Sequence, residues 1–251
     1  MRKSAAEEVY GQLRQMILRG ELSDGQSLKA AALQSEFGFG TTPLREALNR
    51  LSAEQLVVNS FNHGFRVAPI TLDELRDLDR TRLLLETEML VSSIRDGDED
   101  WEGRIVASHY QLAKHRPPGL DATSEATEKW AARHQSFHEA LISASGSHWM
   151  NTLLEQIETQ RTRYHRYILV RAKQVAAEQP EVRDVVNEKL SKVMGIAVHT
   201  PLMEATLDRE ERKARDLMTE HINLTSDAYQ SIQSLFPENA QNKPTPEEPS
   251  P

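Results

Sequence analysis

The sequence predicts a mostly α-helical protein: a winged helix-turn-helix over residues 1–70, then an all-helical bundle over 71–236. Three observations predict it. Glycine and proline punctuate short apolar segments up to Pro69. Beyond Glu54 the hydrophobic period changes from helical to strand-like. From Thr71 to Ile232 the pattern is helical throughout, without a strand signal.

Each element follows in order. Val9, Leu13, Met16 and Ile17 recur at helical spacing, and Gly20 ends that helix. Leu28 to Phe37 reads as a second short helix carrying Leu33 and broken by Gly38. Thr42 and Pro43 read as N-cap and first residue of a third helix, since proline loses no needed N–H there. Its apolar stripe is Leu44, Ala47, Leu48 and Leu51, and it ends near Glu54. Leu56 to Asn59 and Phe65 to Ala68 read as strands joined by turn residues 60–64. Three helices and a β-hairpin are the layout of a winged helix-turn-helix. Thr71 with Glu74 forms a capping box that opens the bundle. Six helices are expected near 72–95, 100–114, 122–145, 147–177, 181–198 and 202–234, the last split near Asp208. Residues 237–251 carry five prolines and no large apolar side chain, and read as a disordered tail.

Composition narrows the function. The chain has no cysteine, which removes disulfides, thiolate metal sites and cysteine nucleophiles. No apolar run approaches the ~18 residues of a membrane span, and the first residues hold no apolar stretch of signal type, so a cytoplasmic protein is expected. The net charge is −8, but it is uneven: residues 1–70 hold eight Lys and Arg against seven Asp and Glu. The acidic excess lies in the helical half, which leaves the small domain free to meet DNA.

The third helix projects Arg45 and Asn49 from one face at i, i+4. Thr41 and Thr42 stand at its N-terminus, where N–H groups can meet a phosphate. An Arg on such a helix can bond a guanine edge bidentately in the major groove. Lys29 could clamp the backbone from the second helix, and His63 and Arg66 lie in or beside the wing. The alternative is a set of solvated surface residues.

The run Gly38-Phe39-Gly40-Thr41-Thr42-Pro43-Leu44-Arg45-Glu46-Ala47-Leu48-Asn49-Arg50-Leu51 resembles the GVSRTPVREALxxL signature of the GntR family of bacterial transcription regulators. Ile17 to Leu22 resembles that family's I-x-x-G-x-L, and Gly64-Phe65-Arg66-Val67 its wing. The resemblance covers residues 9–70 and implies sequence-specific DNA binding. The chain departs from the pattern in three places. Gly40-Thr41 stands for Ser-Arg, Asp24-Gly25 for Pro-Gly, and Ala30-Ala31-Ala32 follows where an acidic residue or Arg is common. One DNA contact of the family is thus missing, so weaker binding or an altered operator sequence is expected.

In the helical half His134 and His138 are i, i+4 among Phe137, Leu141 and Ile142. His221 sits among Leu217, Met218 and Ile222, and His199 precedes Thr200-Pro201, read as a cap and helix start. Two imidazoles one turn apart make a bidentate metal grip. The alternative is core histidines with local hydrogen bonds. Arg161, Arg163 and His165 read as a solvated basic face, and His109, His115 and His148 carry no assignment.

Residues 72–232 resemble the FCD effector domain of the FadR subfamily of GntR regulators, in its VanR-like six-helix group. Asp79 to Glu86 is similar to the xxRxxLE first helix, His134 to Leu141 to DxxFHxxL, and Ser145-Gly146-Ser147 to SGN. His199 and His221 fall on two late histidines. The resemblance implies one divalent cation held by His138, His199 and His221, with His134 where the family has Asp and Ser147 where it has Asn. With His134 as a fourth ligand the donors are all nitrogen, which suits zinc or nickel and disfavours magnesium and manganese. Arg82 matches the family's first-helix Arg and is the candidate contact for a small organic acid; its other reading is an ion pair with Glu86. The expected protein is a regulator, read as a repressor, that binds a palindromic operator as a homodimer paired through the helical domain. A purely structural metal is the second reading. A metal-dependent enzyme is disfavoured, because no HExxH occurs and no carboxylate stands as a general base beside the histidines.

Overall fold

The computed structural model describes residues 4–60 and 64–235. The expected wing residue His63 and the proline-rich tail lie outside the described residues. The small domain comprises α1 (Ala5–Arg19), α2 (Ala30–Phe37), α3 (Thr41–Ala53), β1 (Val57–Ser60) and β2 (Gly64–Val67). Ser4 caps α1, its Oγ accepting from the Glu7 N–H at 3.2 Å. Gly20 ends α1 with φ 61°, a left-handed conformation that glycine adopts without a Cβ penalty. The two strands are antiparallel, with Val57 opposite Val67 and Asn59 opposite Phe65. Leu13, Leu33, Leu44, Leu48, Leu51, Leu56 and Val67 close one core beneath them.

The start of α3 differs from expectation. Gly40, not Thr42, is the N-cap, so Thr41 and Thr42 are the first helical residues and Pro43 the third. No first-turn N–H has a carbonyl one turn before it, so proline is tolerated anywhere there, not only at its first position.

The helical half comprises α4 (Leu72–Asp96), α5 (Glu99–Ala113), α6 (Ser124–Ile142), α7 (His148–Glu178), α8 (Arg183–Met194), α9 (Ile196–Leu207) and α10 (Glu211–Gln233). A short 3-10 turn, Pro180–Val182, precedes α8. Thr71 Oγ1 accepts from the Glu74 N–H at 3.2 Å, but the reciprocal half of the expected capping box is absent: the Thr71 N–H donates to Tyr164 Oη at 3.4 Å. The Glu74 carboxylate accepts from Tyr164 Oη at 2.6 Å, joining α4 to α7. Met89, Leu90, Trp101, Phe137, Leu141, Leu202, Met218 and Ile222 form the main core. The Trp101 indole N–H is satisfied by the Ala140 carbonyl at 3.0 Å.

The break near Asp208 stands where expected. The break before it does not: the chain turns at Gly195, and Pro201 lies inside α9 instead of opening a helix. A Cβ on Gly195 would sit 2.6 Å from the Ser191 carbonyl oxygen, so only glycine permits this close approach. His199 is therefore a residue of α9, not of the loop before it. Among the described residues no helix is long and apolar enough to cross a membrane.

Candidate metal centre and nucleic-acid interface

Four histidines from three helices meet inside the bundle. His134 and His138 come from α6, His199 from α9 and His221 from α10, and one ring nitrogen of each lies within 4.8 Å of the others. A tetrahedral zinc site with Zn–N near 2.0 Å has nitrogens about 3.3 Å apart. His134 Nε2 and His138 Nε2 are already 3.2 Å apart. The His138 and His221 rings stack at 4.7 Å, and His134 stacks on Trp130 at 4.7 Å.

The unpaired atoms support a cation there. His138 Nδ1, His199 Nε2 and His221 Nδ1 are buried without a hydrogen-bond partner. His199 Nδ1 lies 2.8 Å from the Gly195 carbonyl. That bond holds the proton on Nδ1 and leaves the Nε2 lone pair facing inward, the orienting contact that metal-binding histidines commonly make. Burial holds His134, His138 and His221 well below the ordinary imidazole range and His199 at about 4. Near neutrality the rings are thus uncharged donors. Four buried imidazoles can satisfy their lone pairs by converging on one divalent ion.

These shifts fix a pH dependence. In the metal-free protein the unfolded histidines bind protons below about pH 6.5 while the native ones do not. Stability is therefore intact at higher pH and is lost as pH falls from 6.5 towards 4. His199 alone, at about 4, accounts for a loss of roughly 3 kcal/mol. Denaturant titrations at pH 7.5 and 5 capture about 2 kcal/mol of this loss; equal midpoints would contradict it.

Beside the histidines lies a buried polar cluster. Arg82 Nε is 2.5 Å from Glu86 Oε1 and 3.4 Å from Glu158. The ion pair is the second of the two expectations for Arg82, yet its Nη1 remains buried and unpartnered. Arg161 bonds Glu158 at 2.6 Å, reaches Asp79 at 3.7 Å, and its Nη2 lies 3.1 Å from His165 Nε2. Ser226 bonds Asp79 from α10. Burial pushes the Asp79 and Glu86 carboxyls up, partly offset by Arg161 and Arg82 respectively. Burial pushes His165 down to about 3, with Arg161 acting in the same direction.

This corrects the solvated basic face. Arg161 and Arg163 are each 2 % exposed, Arg161 within this cluster and Arg163 against the small domain. Asp79, Glu158 and Ser226 were not singled out by sequence. The signal was present: Asp79, Arg82 and Glu86 are spaced i, i+3, i+7 on α4, as are Glu158, Arg161 and His165 on α7. Of the unassigned histidines, His109 Nε2 meets Thr200 Oγ1 at 2.9 Å. Ser147, in the SGN-like position, caps α7 by accepting from the Met150 N–H at 3.3 Å.

The winged domain presents a second surface. Arg45 and Asn49 are exposed on α3, opposite its buried Leu44, Ala47, Leu48 and Leu51. Thr41 and Thr42 are exposed in its first turn, and Thr41 Oγ1 accepts from Gln34 Nε2 at 2.7 Å. Lys29 is the exposed N-cap of α2, and Arg66 is exposed on β2.

A winged helix-turn-helix joined to an all-helical bundle is the architecture of a DNA-binding regulator. The sequence matches "Bacterial regulatory proteins, gntR family" over residues 5–67 and "FCD domain" over residues 77–224. The chain belongs to the GntR family of transcriptional regulators and carries an FCD effector domain. It is 32% identical over 220 residues to the Uncharacterized HTH-type transcriptional regulator BphR of Paraburkholderia xenovorans (strain LB400), covering 88% of this chain and 83% of that one. It is 31% identical over 213 residues to the HTH-type transcriptional repressor GlaR of Escherichia coli (strain K12), covering 85% of this chain and 90% of that one. Its fold is similar to that of E. coli McbR/YncC, with TM-score 0.60, 19% identity and 93% and 98% of the two chains covered. These relatives are regulators, and the chain is a DNA-binding transcriptional regulator, not an enzyme.

Proposed function

We propose that this protein is a cytoplasmic repressor of the FadR subfamily, in its VanR-like group, whose helical domain binds a divalent cation and a small carboxylate effector. The four-histidine cluster with its buried, unpartnered nitrogens carries the metal part of this reading. His134, His138, His199 and His221 would hold the ion, zinc or nickel by donor type. Four histidines complete a tetrahedral zinc shell, so an anion would reach the ion only through a fifth position, by expansion of that shell.

Arg82 Nη1 is a nearby buried donor without a partner that could meet a carboxylate. Residues 1–70 would read DNA, and residues 71–236 would sense and dimerise. On the operator Arg45 and Asn49 would meet base edges, Thr41, Thr42 and Lys29 phosphates, and Arg66 with His63 the flank under the wing. A homodimer paired through the helical domains would place two α3 helices on palindromic half-sites about 34 Å apart. The repressor named among its relatives supports the sign of regulation.

One observation favours a purely structural metal as second reading: Arg82 already meets two carboxylates through its Nε, so its charge is compensated before any acid arrives. The test is a titration of mono-, di- and hydroxycarboxylic acids into the zinc-loaded complex with an operator selected from a random duplex library. A sensor is expected to change operator affinity by about 5–150-fold for at least one acid. Affinity unchanged across the panel supports the structural metal.

A further inference from the structure

Helix α7 carries two polar faces. Glu158, Arg161 and His165 belong to the polar cluster beside the histidines, while Thr159, Gln160, Arg163 and Arg166 face the winged domain. Gln160 Nε2 donates to the Glu54 carbonyl at 2.6 Å, and Glu54 is the C-cap of α3, the helix that carries Arg45 and Asn49. Carbonyls at a helix C-terminus concentrate partial negative charge, so an aimed donor grips the end of that helix. Gln160 Oε1 in turn accepts from Arg163 Nη1 at 3.0 Å. Arg163 Nη2 pairs with Asp24 at 3.2 Å and donates to the Ala68 carbonyl, just beyond β2. Arg14 Nη2 donates to Thr159 Oγ1 at 3.0 Å, and Arg166 lies over Gly20 in the space a Cβ would fill.

Gln160 and Arg163 thus hold both the recognition helix and the base of the wing, and both are buried. A buried guanidinium must keep its partners together or leave with water, so such a contact favours discrete arrangements over gradual ones. Arg82 is close enough for its charge to act on all four histidines. A divalent ion among them would repel Arg82 and Arg161, whose shared partner Glu158 lies on α7.

We propose that Gln160 and Arg163 are positioning residues that set the angle of α3 on the bundle, and that α7 carries the occupancy of the histidine cluster to them. The coupling rests on the metal reading above; the positioning does not.

The absence of native cysteine allows a direct test. Spin labels are placed at Ala31→Cys and Lys192→Cys, both exposed, and labelled chains are diluted with unlabelled ones so that the intrachain distance is read. The otherwise unaltered protein is expected to give one narrow distribution that zinc shifts. Gln160→Leu with Arg163→Met is expected to widen it about twofold and erase the zinc shift, with zinc affinity kept within about threefold. Should that pair fail to fold, Asp24→Ala weakens the same contact from the winged side and is expected to widen the distribution. An unwidened distribution in a folded variant overturns the positioning role. A starting distribution that zinc binds but does not move overturns the coupling alone. Zinc that does not bind overturns the metal reading and the coupling together, while the widths still decide the positioning role.

Discussion

Arg45→Ala is expected to weaken operator binding at least thirtyfold, up to its abolition, while leaving fold and assembly intact. The side chain is exposed on α3, opposite the buried stripe that anchors that helix, so its removal opens no cavity. Arg and Ala are both good helix formers, which keeps the stability change within about 0.5 kcal/mol. On DNA a bidentate Arg–guanine contact is worth ~1–3 kcal/mol. The proposed symmetric dimer would make the contact twice, so the expected loss is about 2–6 kcal/mol, from thirtyfold to beyond ten-thousandfold. Fluorescence anisotropy on the selected operator, beside a thermal melt, measures both quantities. Operator binding that survives with an unchanged melt would remove Arg45 from base readout.

On the proposed metal site, His138→Ala is expected to remove the metal and lower the melting temperature of the metal-loaded protein. Ion binding at a hundredfold excess over Kd adds about 2.7 kcal/mol to the native state. In a chain of this size that corresponds to a fall of roughly 5–10 °C. The contrast with metal-free protein is decisive. There His138 brings a buried unpartnered Nδ1, so truncation trades a packing loss against relief of an unmet polar atom, and the difference shrinks. A drop of equal size with and without zinc would assign His138 to the core alone.

The winged domain was legible because its signals are local. Gly20 and Gly38 stop helices where the backbone turns left-handed, and Leu44, Ala47, Leu48 and Leu51 place the exposed face of α3 without knowledge of any neighbour. Where local rules compete, the boundaries moved. Pro201 looks like a helix start, yet Gly195 alone tolerates the approach to Ser191, so the break lies there and the proline is absorbed into α9.

The candidate site was legible in part. Helical spacing joins His134 to His138, but no periodicity connects that pair to His199 or His221; the family resemblance did, and the bundle brings all four together. The polar cluster was missed because a charged side chain is read as surface by default. Arg161 escapes that default by packing against Glu158 from its own helix and Asp79 from α4, a pairing visible once the i, i+3, i+7 stripes of two helices are set face to face.

The central claim is that the four histidines form a metal site. Elemental mass spectrometry of untagged protein, purified without chelators, tests it most directly. The account predicts about one zinc or nickel per chain, lost in His138→Ala. Near-zero metal that added zinc or nickel does not restore would contradict it.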